Sequence, residues 1–276
     1  MKTRTIDTSH GTLSIAESSG TGPALLMLHG NSSCKEVFRN QLEGTVGQTW
    51  HCVAPDLPGH GASADATDPD RTYHLGGYAD AMIELMTLLG HDSYAVLGWS
   101  LGGHVALEMM ARSQAITGVM ITGTPPVASS AEGMAAGFLP SEHMGLTGKR
   151  DFTPEEVHAY ARATAGAYAR FEPFMEEAVA RTDGRAREMM FAKIFAGLHS
   201  DQREMAIHSP VPLAVVNGST DAFVNPAYLT SLPYENLWEE VHLLDGVGHA
   251  PFWEEPEQFD PILLRFLSSV QAAPVA

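Results

Sequence analysis

The sequence predicts an α/β fold with a mostly parallel eight-stranded sheet, flanked by helices and carrying a helical lid inserted after the sixth strand. Short, continuously apolar segments alternate with helical segments along most of the chain, as in a parallel sheet that is buried on both faces. This alternation stops between residues 126 and 208, where helical patterns occur without a convincing strand. We therefore expect a core formed by residues 1–125 and 209–276, with the lid, 126–208, between them.

Composition fits a single α/β unit with an insertion and excludes several classes of partner. Of the 276 residues, 44% are hydrophobic and 18% are charged, and no segment reaches the roughly 18 uninterrupted apolar residues of a membrane span. The formal net charge of −17 disfavours nucleic acids, anionic membrane surfaces and strongly anionic substrates. The polar N-terminal residues lack the apolar core of a secretory signal, and the cysteines form no Cys-x-x-Cys pair. We therefore expect a cytoplasmic protein without disulfides.

The strands of the predicted sheet can be placed in chain order. A hairpin around Ser9-His10-Gly11 opens the chain and provides an antiparallel edge. Six further strands follow, each short and mainly apolar: 24–28, 50–54, 94–97, 117–122, 212–216 and 241–244. Helices are predicted at 77–89, after the strand at 94–97, and from Pro256 onwards. The loops that follow the parallel strands therefore meet at one edge of the sheet.

A serine lies in the turn between the strand at 94–97 and its helix, in the string Gly98-Trp99-Ser100-Leu101-Gly102. Gly-x-Ser-x-Gly in this setting is the nucleophile elbow of the α/β-hydrolase fold, in which a sharp turn exposes the serine oxygen. The two glycines let the strand and the helix pack closely around a strained turn. We predict Ser100 as the nucleophile and the N–H of Leu101, at the start of the helix, as an oxyanion donor.

The loop after the strand at 24–28 supplies a second predicted oxyanion donor. In His29-Gly30-Asn31 the glycine lets the backbone approach a ligand, so that the N–H of Asn31 can donate to it. His29 is interpreted as a structural histidine that braces this loop. Asp56 and His60, in a turn-rich segment after the next strand, are likewise interpreted as residues that organise a loop.

A serine nucleophile needs a base, and the base needs a group that fixes its tautomer. His249 is the predicted base, because it follows the last strand in a Gly-His turn and therefore lies at the carboxyl edge of the sheet. Two carboxylates could orient it. Asp221 lies just beyond the strand at 212–216, and Asp245 is four residues before the histidine. We favour Asp221, which fits the order serine, acid, histidine, and keep Asp245 as the alternative.

Eight strings spread over nearly the whole chain carry a resemblance to a known family. They are LLMLHGNSS (25–33), APDLPGHG (54–61), GYADAM (77–82), GWSLGGH (98–104), MITGTPPVA (120–128), VARTDGRAR (179–187), VVNG (215–218) and GHAPF (248–252). Together they resemble the N-acylhomoserine lactonases of α/β-hydrolase type, quorum-quenching enzymes that open the lactone ring of bacterial signal molecules. The likeness includes part of the lid and is therefore more specific than the serine motif alone.

The resemblance implies the Ser-His-Asp triad and the two oxyanion donors named above, and it adds a substrate contact from a lid tyrosine, placed at Tyr160. This chain differs from the family at the acid of the triad, since members of the family can carry glutamate there, whereas this chain has Asp221 after Thr220. The implied substrate is a small ester or lactone with an apolar acyl chain, which a lid rich in methionine and phenylalanine suits. We expect no metal or cofactor, since the sequence lacks the His-x-His-x-Asp-His string of zinc-dependent lactonases. We also expect a monomer, because no pattern in the sequence demands more than one copy.

Other classes of function stay open at this point. A general carboxylesterase would use the same triad under a less selective lid, and an acyltransferase or a non-enzymatic ligand receptor could be built on the same fold. The predicted triad disfavours a receptor, which would need no general base. A serine rather than an aspartate at position 100 disfavours dehalogenase and epoxide hydrolase chemistry, which use a carboxylate nucleophile.

Overall fold

The computed structural model describes residues 1–166 and 169–272, which contain one eight-stranded sheet. Its strands are β1 (Lys2–Thr8), β2 (Gly11–Glu17), β3 (Ala24–Leu28), β4 (His51–Pro55), β5 (Tyr94–Trp99), β6 (Ile116–Thr122), β7 (Leu213–Gly218) and β8 (Leu237–Leu244). Their spatial order is β1-β2-β4-β3-β5-β6-β7-β8. The pairings β1/β2 and β2/β4 are antiparallel and the others are parallel. The prediction of a mostly parallel sheet with an antiparallel edge is confirmed.

Helices flank the sheet and fill the interval between β6 and β7. They are α1 (Arg39–Glu43), α2 (Thr45–Thr49), α3 (Pro69–Thr72), α4 (Leu75–Leu88), α5 (Leu101–Met110), α6 (Ala131–Gly137), α7 (Pro154–Ala165), α8 (Pro173–Arg181), α9 (Gly184–Phe195), α10 (Gln202–Ile207), α11 (Pro226–Ser231), α12 (Pro251–Glu254) and α13 (Pro256–Ala272). We call residues 126–208, which contain α6 to α10, the insertion. In the described residues of the insertion, the β-pairing consists of one isolated antiparallel bridge, between Phe138 and Val224. Within the described ranges, no helix combines the length and apolarity needed to cross a bilayer.

Two apolar clusters, one on each face of the sheet, form the core. Successive side chains of a strand point to opposite faces, and β3 therefore contributes to both clusters. Leu26 and Leu28 pack with residues of α4 and α5, whereas Leu25 and Met27 pack with residues of α1 and α13. All four side chains are fully buried, and each such burial stabilises the fold by about 1.5–3 kcal/mol. Burial on both faces explains why the strand reads as a continuous apolar run.

The insertion packs on both clusters. Tyr160 of α7 and Val179 of α8 belong to the cluster beneath α13, whereas Met190 of α9 and Ala206 of α10 belong to the cluster beneath α4 and α5. Among the residues that the structure describes, α6 contributes no side chain to either cluster. The insertion is therefore anchored by apolar packing at α7 to α10, whereas the end of α6 is held by backbone hydrogen bonds to the loop after β7, from the Asn225 N–H to the Gly137 carbonyl and from the Leu139 N–H to the Phe223 carbonyl.

One of two elements next to the site agrees with the sequence-based expectation and the other differs from it. The helix after β5 begins at Leu101, as predicted, although its first turn contains two glycines, which are weak helix formers. A Cβ on Gly102 would lie 2.1 Å from the Leu28 carbonyl oxygen, so close packing against β3 requires glycine there. The last strand begins at Leu237 and not near Val241, because an edge strand with several exposed residues has no clear apolar pattern.

Candidate active site

Ser100 lies in the turn between β5 and α5 with φ 53° and ψ −119°, a conformation that non-glycine residues rarely adopt. Close packing enforces it, since a Cβ on Gly98 would lie 2.4 Å from the Gly102 carbonyl oxygen. The Ser100 N–H donates to the Thr122 carbonyl at 2.9 Å, and Thr124 Oγ1 donates to the Ser100 carbonyl at 3.0 Å. The backbone of the turn is thus fixed, and the serine side chain lies at the carboxyl edge of the sheet.

The two residues predicted as oxyanion donors, Leu101 and Asn31, lie next to this serine. Leu101 is the first residue of α5, and the N–H groups of a first helical turn point away from the helix without intrahelical partners. The loop after β3 passes close by, since a Cβ on Gly30 would lie 3.2 Å from Ser100 Cβ. Asn31 follows that glycine and is 9% exposed, and its Nδ2 donates to the Thr147 carbonyl at 2.9 Å. The structure therefore places both predicted donor residues beside the serine.

His249 lies after β8 and contacts a buried carboxylate. Its Nδ1 is 2.9 Å from Oδ2 and 3.0 Å from Oδ1 of Asp221. Burial acts to raise the pKa of Asp221, but His249 and the N–H groups of Phe223 and Val224, 2.8 and 3.2 Å from Oδ1, outweigh it and hold the pKa below its usual value. An ionised carboxylate in this position accepts a hydrogen bond from a protonated Nδ1, which leaves Nε2 of the neutral ring as a base.

The alternative acid does not reach the histidine. Asp245 is exposed, and its Oδ1 accepts a hydrogen bond from Ser219 Oγ at 3.4 Å. Ser100 and His249 border the same cavity, although no hydrogen bond joins them in the described ranges. The structure thus brings Asp221 and His249 into contact and places the serine in the same cavity.

The loop that carries His249 is fixed by a residue that sequence reasoning missed. The Glu254 carboxylate accepts hydrogen bonds from the N–H groups of Gly248, at 3.1 Å, and Ala250, at 3.0 Å. Trp99 Nε1 donates to the His249 carbonyl at 2.9 Å. A carboxylate five residues after the histidine, in the proline-initiated α12, is the signal that could have revealed this role.

The cavity beside Ser100 has mainly apolar walls, to which the insertion contributes. Several of its methionines and phenylalanines line the cavity: Met134, Phe138, Met144, Met190 and Phe191. Tyr160 also borders it, 2% exposed, with its hydroxyl 3.3 Å from Asn31 Nδ2. Burial raises the pKa of Tyr160 to about 12, so the phenol stays protonated and neutral. The arrangement leaves a polar end near the serine and an apolar remainder.

The histidines and the aspartate interpreted as structural lie outside this cavity. His29 is fully buried, and its Nε2 accepts the N–H of Leu57 at 3.0 Å. Asp56 forms a buried ion pair with Lys35, whose Nζ is 2.7 Å from Oδ2. His60 Nδ1 lies near a backbone carbonyl of its own loop at 3.0 Å. These contacts organise the loops after β3 and β4.

Arg187 of α9 is a buried cation that joins the insertion to the loop after β3. It is 3% exposed and donates to the carbonyls of Lys149, at 2.9 Å, and Arg150, at 2.8 Å. It also donates to Ser32 Oγ at 3.2 Å, and this hydroxyl donates to Asn31 Oδ1 at 3.3 Å. In the described ranges no carboxylate pairs with the guanidinium. The insertion therefore braces the residue that follows Asn31.

The arrangement offers the parts of acyl transfer through a covalent intermediate. It combines a hydroxyl at a strained turn, an imidazole oriented by an ionised carboxylate, and, beside the serine, the two residues predicted to donate their N–H groups. As far as the structure describes the chain, no group of three or more histidine, cysteine, aspartate or glutamate side chains is placed to hold a metal ion.

Comparison with known proteins confirms the fold class and the resemblance. A model of the alpha/beta hydrolase family matches residues 25–261. A crystal structure of the N-acyl homoserine lactonase AidH complexed with N-butanoyl homoserine is 46% identical and superposes with a TM-score of 0.95 over 99% of both chains. An esterase from Rhodococcus, 20% identical with a TM-score of 0.75 over 98% of this chain and 100% of that one, shares the fold. Among curated proteins, a pimeloyl-[acyl-carrier protein] methyl ester esterase from Nitrosospira multiformis is 25% identical over 91% of this chain and 96% of that protein.

Proposed function

Because the chain belongs to the α/β hydrolase family and is a hydrolase that acts on ester bonds, we propose that it opens the lactone ring of N-acylhomoserine lactones and thereby quenches quorum signalling. The observation that carries the proposal is the 46% identity, over 99% of both chains, to a lactonase complexed with N-butanoyl homoserine. A substituted form of that lactonase is complexed with N-hexanoyl homoserine lactone. The serine, histidine and carboxylate described above support the same chemistry.

In the proposed reaction Ser100 Oγ attacks the lactone carbonyl while His249 Nε2 takes its proton. The ring C–O bond then breaks, and His249 returns the proton to the leaving oxygen. Because the substrate is cyclic, this oxygen becomes the side-chain hydroxyl of the N-acylhomoserine that is now esterified to Ser100. Water, deprotonated by the same imidazole, hydrolyses this ester and releases N-acylhomoserine as a carboxylate. Asp221 stays ionised throughout and stabilises the imidazolium that forms in each step.

The negative oxygen of each tetrahedral intermediate is assigned to the N–H groups of Leu101 and Asn31. Their support is the start of α5 directly after Ser100 and the close approach of Gly30 to that serine. A donor of this kind lowers the barrier by about 3 kcal/mol, because it is already oriented where charge develops. In this proposal the reaction requires no metal ion or cofactor.

The apolar cavity is assigned to the acyl chain, with the insertion acting as a lid over a core of residues 1–125 and 209–276. Burying each methylene group of the chain contributes roughly 0.8 kcal/mol, so a cavity lined by methionine and phenylalanine favours acylated substrates. The hydroxyl of Tyr160 lies at the polar end of this cavity, near Asn31. We assign it a contact with the lactone.

Removing that hydroxyl tests the assignment. Tyr160→Phe is expected to lower kcat/KM for N-hexanoyl homoserine lactone about fivefold, the usual effect of one lost hydrogen bond. The matched control is Tyr228→Phe, since that hydroxyl donates to the Pro126 carbonyl at 2.8 Å and does not border the cavity. Steady-state kinetics that give the two variants the same kcat/KM would contradict the contact.

The experiment that tests the proposed function measures base uptake at constant pH when the purified, chelator-treated protein meets a long-chain N-acylhomoserine lactone. Rapid ring opening that survives the chelator is the expected result, because the proposed mechanism uses side chains alone. A Ser100→Ala preparation serves as the blank, since these lactones also open spontaneously in alkaline solution.

A general carboxylesterase is the second candidate, favoured by the curated methyl ester esterases that are 25% and 28% identical to this chain. The same titration with p-nitrophenyl butyrate separates the two functions. Hydrolysis of the nitrophenyl ester without ring opening would assign the chain as an esterase with the same triad.

A further inference from the structure

The cavity has a second polar wall besides the polar end near the serine. His104 of α5 and Gln202 of α10 border the cavity beside Phe138, whose ring centroid lies 6.0 Å from that of His104. Gln202 is 1% exposed, and neither residue takes part in the reaction proposed above. A polar atom that faces an apolar cavity costs free energy unless a ligand or water pairs with it.

The hydrogen bonds of this pair determine which nitrogen of His104 carries the proton. Gln202 Nε2 donates to the His104 carbonyl at 3.0 Å, and a backbone carbonyl can only accept. This contact fixes the orientation of the amide, so that Oε1 is the atom 2.6 Å from His104 Nδ1. Because Oε1 is an acceptor, Nδ1 must be the protonated nitrogen. In the neutral ring Nε2 is therefore a hydrogen-bond acceptor.

This acceptor is open to the cavity. In the part of the chain that the structure describes, His104 Nε2 has no hydrogen-bond partner, and it is not enclosed by protein as His60 Nε2 is. Burial lowers the pKa of His104 to about 4, so the ring is neutral near pH 7 and keeps its lone pair on Nε2. A ligand that offers a donor at this point gains a hydrogen bond, whereas a ligand that offers an acceptor meets a second lone pair.

The position of His104 relative to Ser100 indicates where on the substrate that donor belongs. Ser100 directly precedes α5 and His104 lies in its first turn, where the His104 N–H donates to the Ser100 carbonyl at 3.2 Å. Side chains of a helix lean towards its N-terminus, so the imidazole leans back towards the serine. In an N-acylhomoserine lactone, the third carbon of the acyl chain is five bonds from the lactone carbonyl carbon, which is a span comparable with one turn of a helix.

We propose that His104 selects acyl chains that carry a hydroxyl group on the third carbon, by accepting a hydrogen bond from that hydroxyl at Nε2. The inference rests on the proposed function and extends it to a subclass of substrate. A hydroxyl is a donor and pairs with Nε2, an unsubstituted chain leaves Nε2 unpaired, and a 3-oxo group places an acceptor against it. The structure thus ranks three substrates that differ at one carbon.

The ranking is tested on the wild-type protein with N-(3-hydroxyhexanoyl), N-hexanoyl and N-(3-oxohexanoyl) homoserine lactones. We expect kcat/KM to fall in that order, with about a fivefold step from the hydroxylated to the unsubstituted chain. Equal values for all three, or a preference for the 3-oxo chain, overturn this inference and leave the lactonase proposal standing. Failure to open any of the three overturns both.

Two variants separate recognition from packing. His104→Leu removes the acceptor, and the ratio of kcat/KM for the hydroxylated and unsubstituted chains is expected to approach one. Gln202→Glu gives up the hydrogen bond from the Gln202 amide to the His104 carbonyl and places a carboxylate oxygen on Nδ1. The carboxylate favours the doubly protonated ring and turns Nε2 into a donor, so the preference is expected to shift to the 3-oxo chain. A packing defect would not reverse a preference. If His104→Leu fails to fold, the Gln202→Glu result decides.

The exposed His208, outside the cavity, provides the control, and His208→Leu is expected to keep the wild-type ratio. A wild-type ratio in the folded Gln202→Glu protein contradicts the role of His104, as does one in folded His104→Leu.

Discussion

Ser100→Ala is expected to lower kcat for lactone hydrolysis by a factor on the order of 10⁶, the effect of removing the nucleophile from a serine-histidine-aspartate triad. The strain of the turn is the same for both residues, because alanine keeps the Cβ that makes φ 53° unfavourable. The contacts that fix this backbone, to Thr122 and from Thr124, involve main-chain atoms of residue 100 and are retained. The variant is therefore expected to fold normally.

Turnover should be measured with enough protein to detect residual activity, and thermal unfolding and circular dichroism should be compared with the wild type. Binding of N-hexanoyl homoserine lactone to the variant, followed calorimetrically, is expected to persist because the cavity is unchanged. Turnover close to that of the wild type would exclude the proposed mechanism as a whole, whichever residue were assigned as base.

Asp221→Asn has the second largest expected effect, a loss of about 10⁴-fold in kcat. The asparagine amide would place a donor against Nδ1 of His249, so the ring would carry its proton on Nε2 and could not accept one from the serine. The N–H groups of Phe223 and Val224, which now pair with Oδ1, can still be accepted by the amide oxygen. The loss should therefore fall on kcat more than on stability.

The matched control is Asp245→Asn, which changes the alternative acid in the same way. Asp245 is exposed and contacts Ser219, so its substitution is expected to alter kcat less than about twofold. If Asp245→Asn lost more activity than Asp221→Asn, the role of the acid would pass to Asp245.

Most of the fold could be predicted from the sequence because its strands are buried on both faces. The runs at β3, β5 and β6 are mainly apolar, and short runs of this kind between turns are typical of strands that helices cover on both sides. The bounds of β8 could not be predicted, since Glu239 and Glu240 interrupt its apolar residues at an exposed edge. The start of α5 at Leu101 was predicted from the serine motif, and the structure adds the reason for the two glycines of its first turn, since Gly102 packs on the Leu28 carbonyl and Gly103 on Thr124.

The candidate site could be predicted where the chemistry has a local signature. Ser100 lies in a motif, and His249 lies in a Gly-His turn after the last strand. The choice between Asp221 and Asp245 depends on the paths of two loops in space, which spacing along the chain does not give. Glu254 has only a weak signal, its place in the proline-initiated α12, and its two hydrogen bonds to the loop of His249 became visible only in the structure. The contact between His104 and Gln202 joins two distant helices, and no pattern in the sequence marks it.

The buried guanidinium of Arg187 bears on how molecules travel into and out of the cavity. Moving α9 outwards would strip this cation of its contacts with Ser32 and two backbone carbonyls and would leave its charge without a partner. Such a movement would also loosen Asn31, so an opening on that side would disable the enzyme each time it admitted a substrate.

Among the described residues, helix α6 contributes no side chain to either apolar cluster. The end of α6 is nevertheless tied to the loop after β7, because the Asn225 N–H donates to the Gly137 carbonyl at 2.9 Å and the Leu139 N–H donates to the Phe223 carbonyl at 2.8 Å. This loop also supplies the Phe223 and Val224 N–H groups that hold the Asp221 carboxylate, so the insertion contacts both the oxyanion side and the acid side of the site.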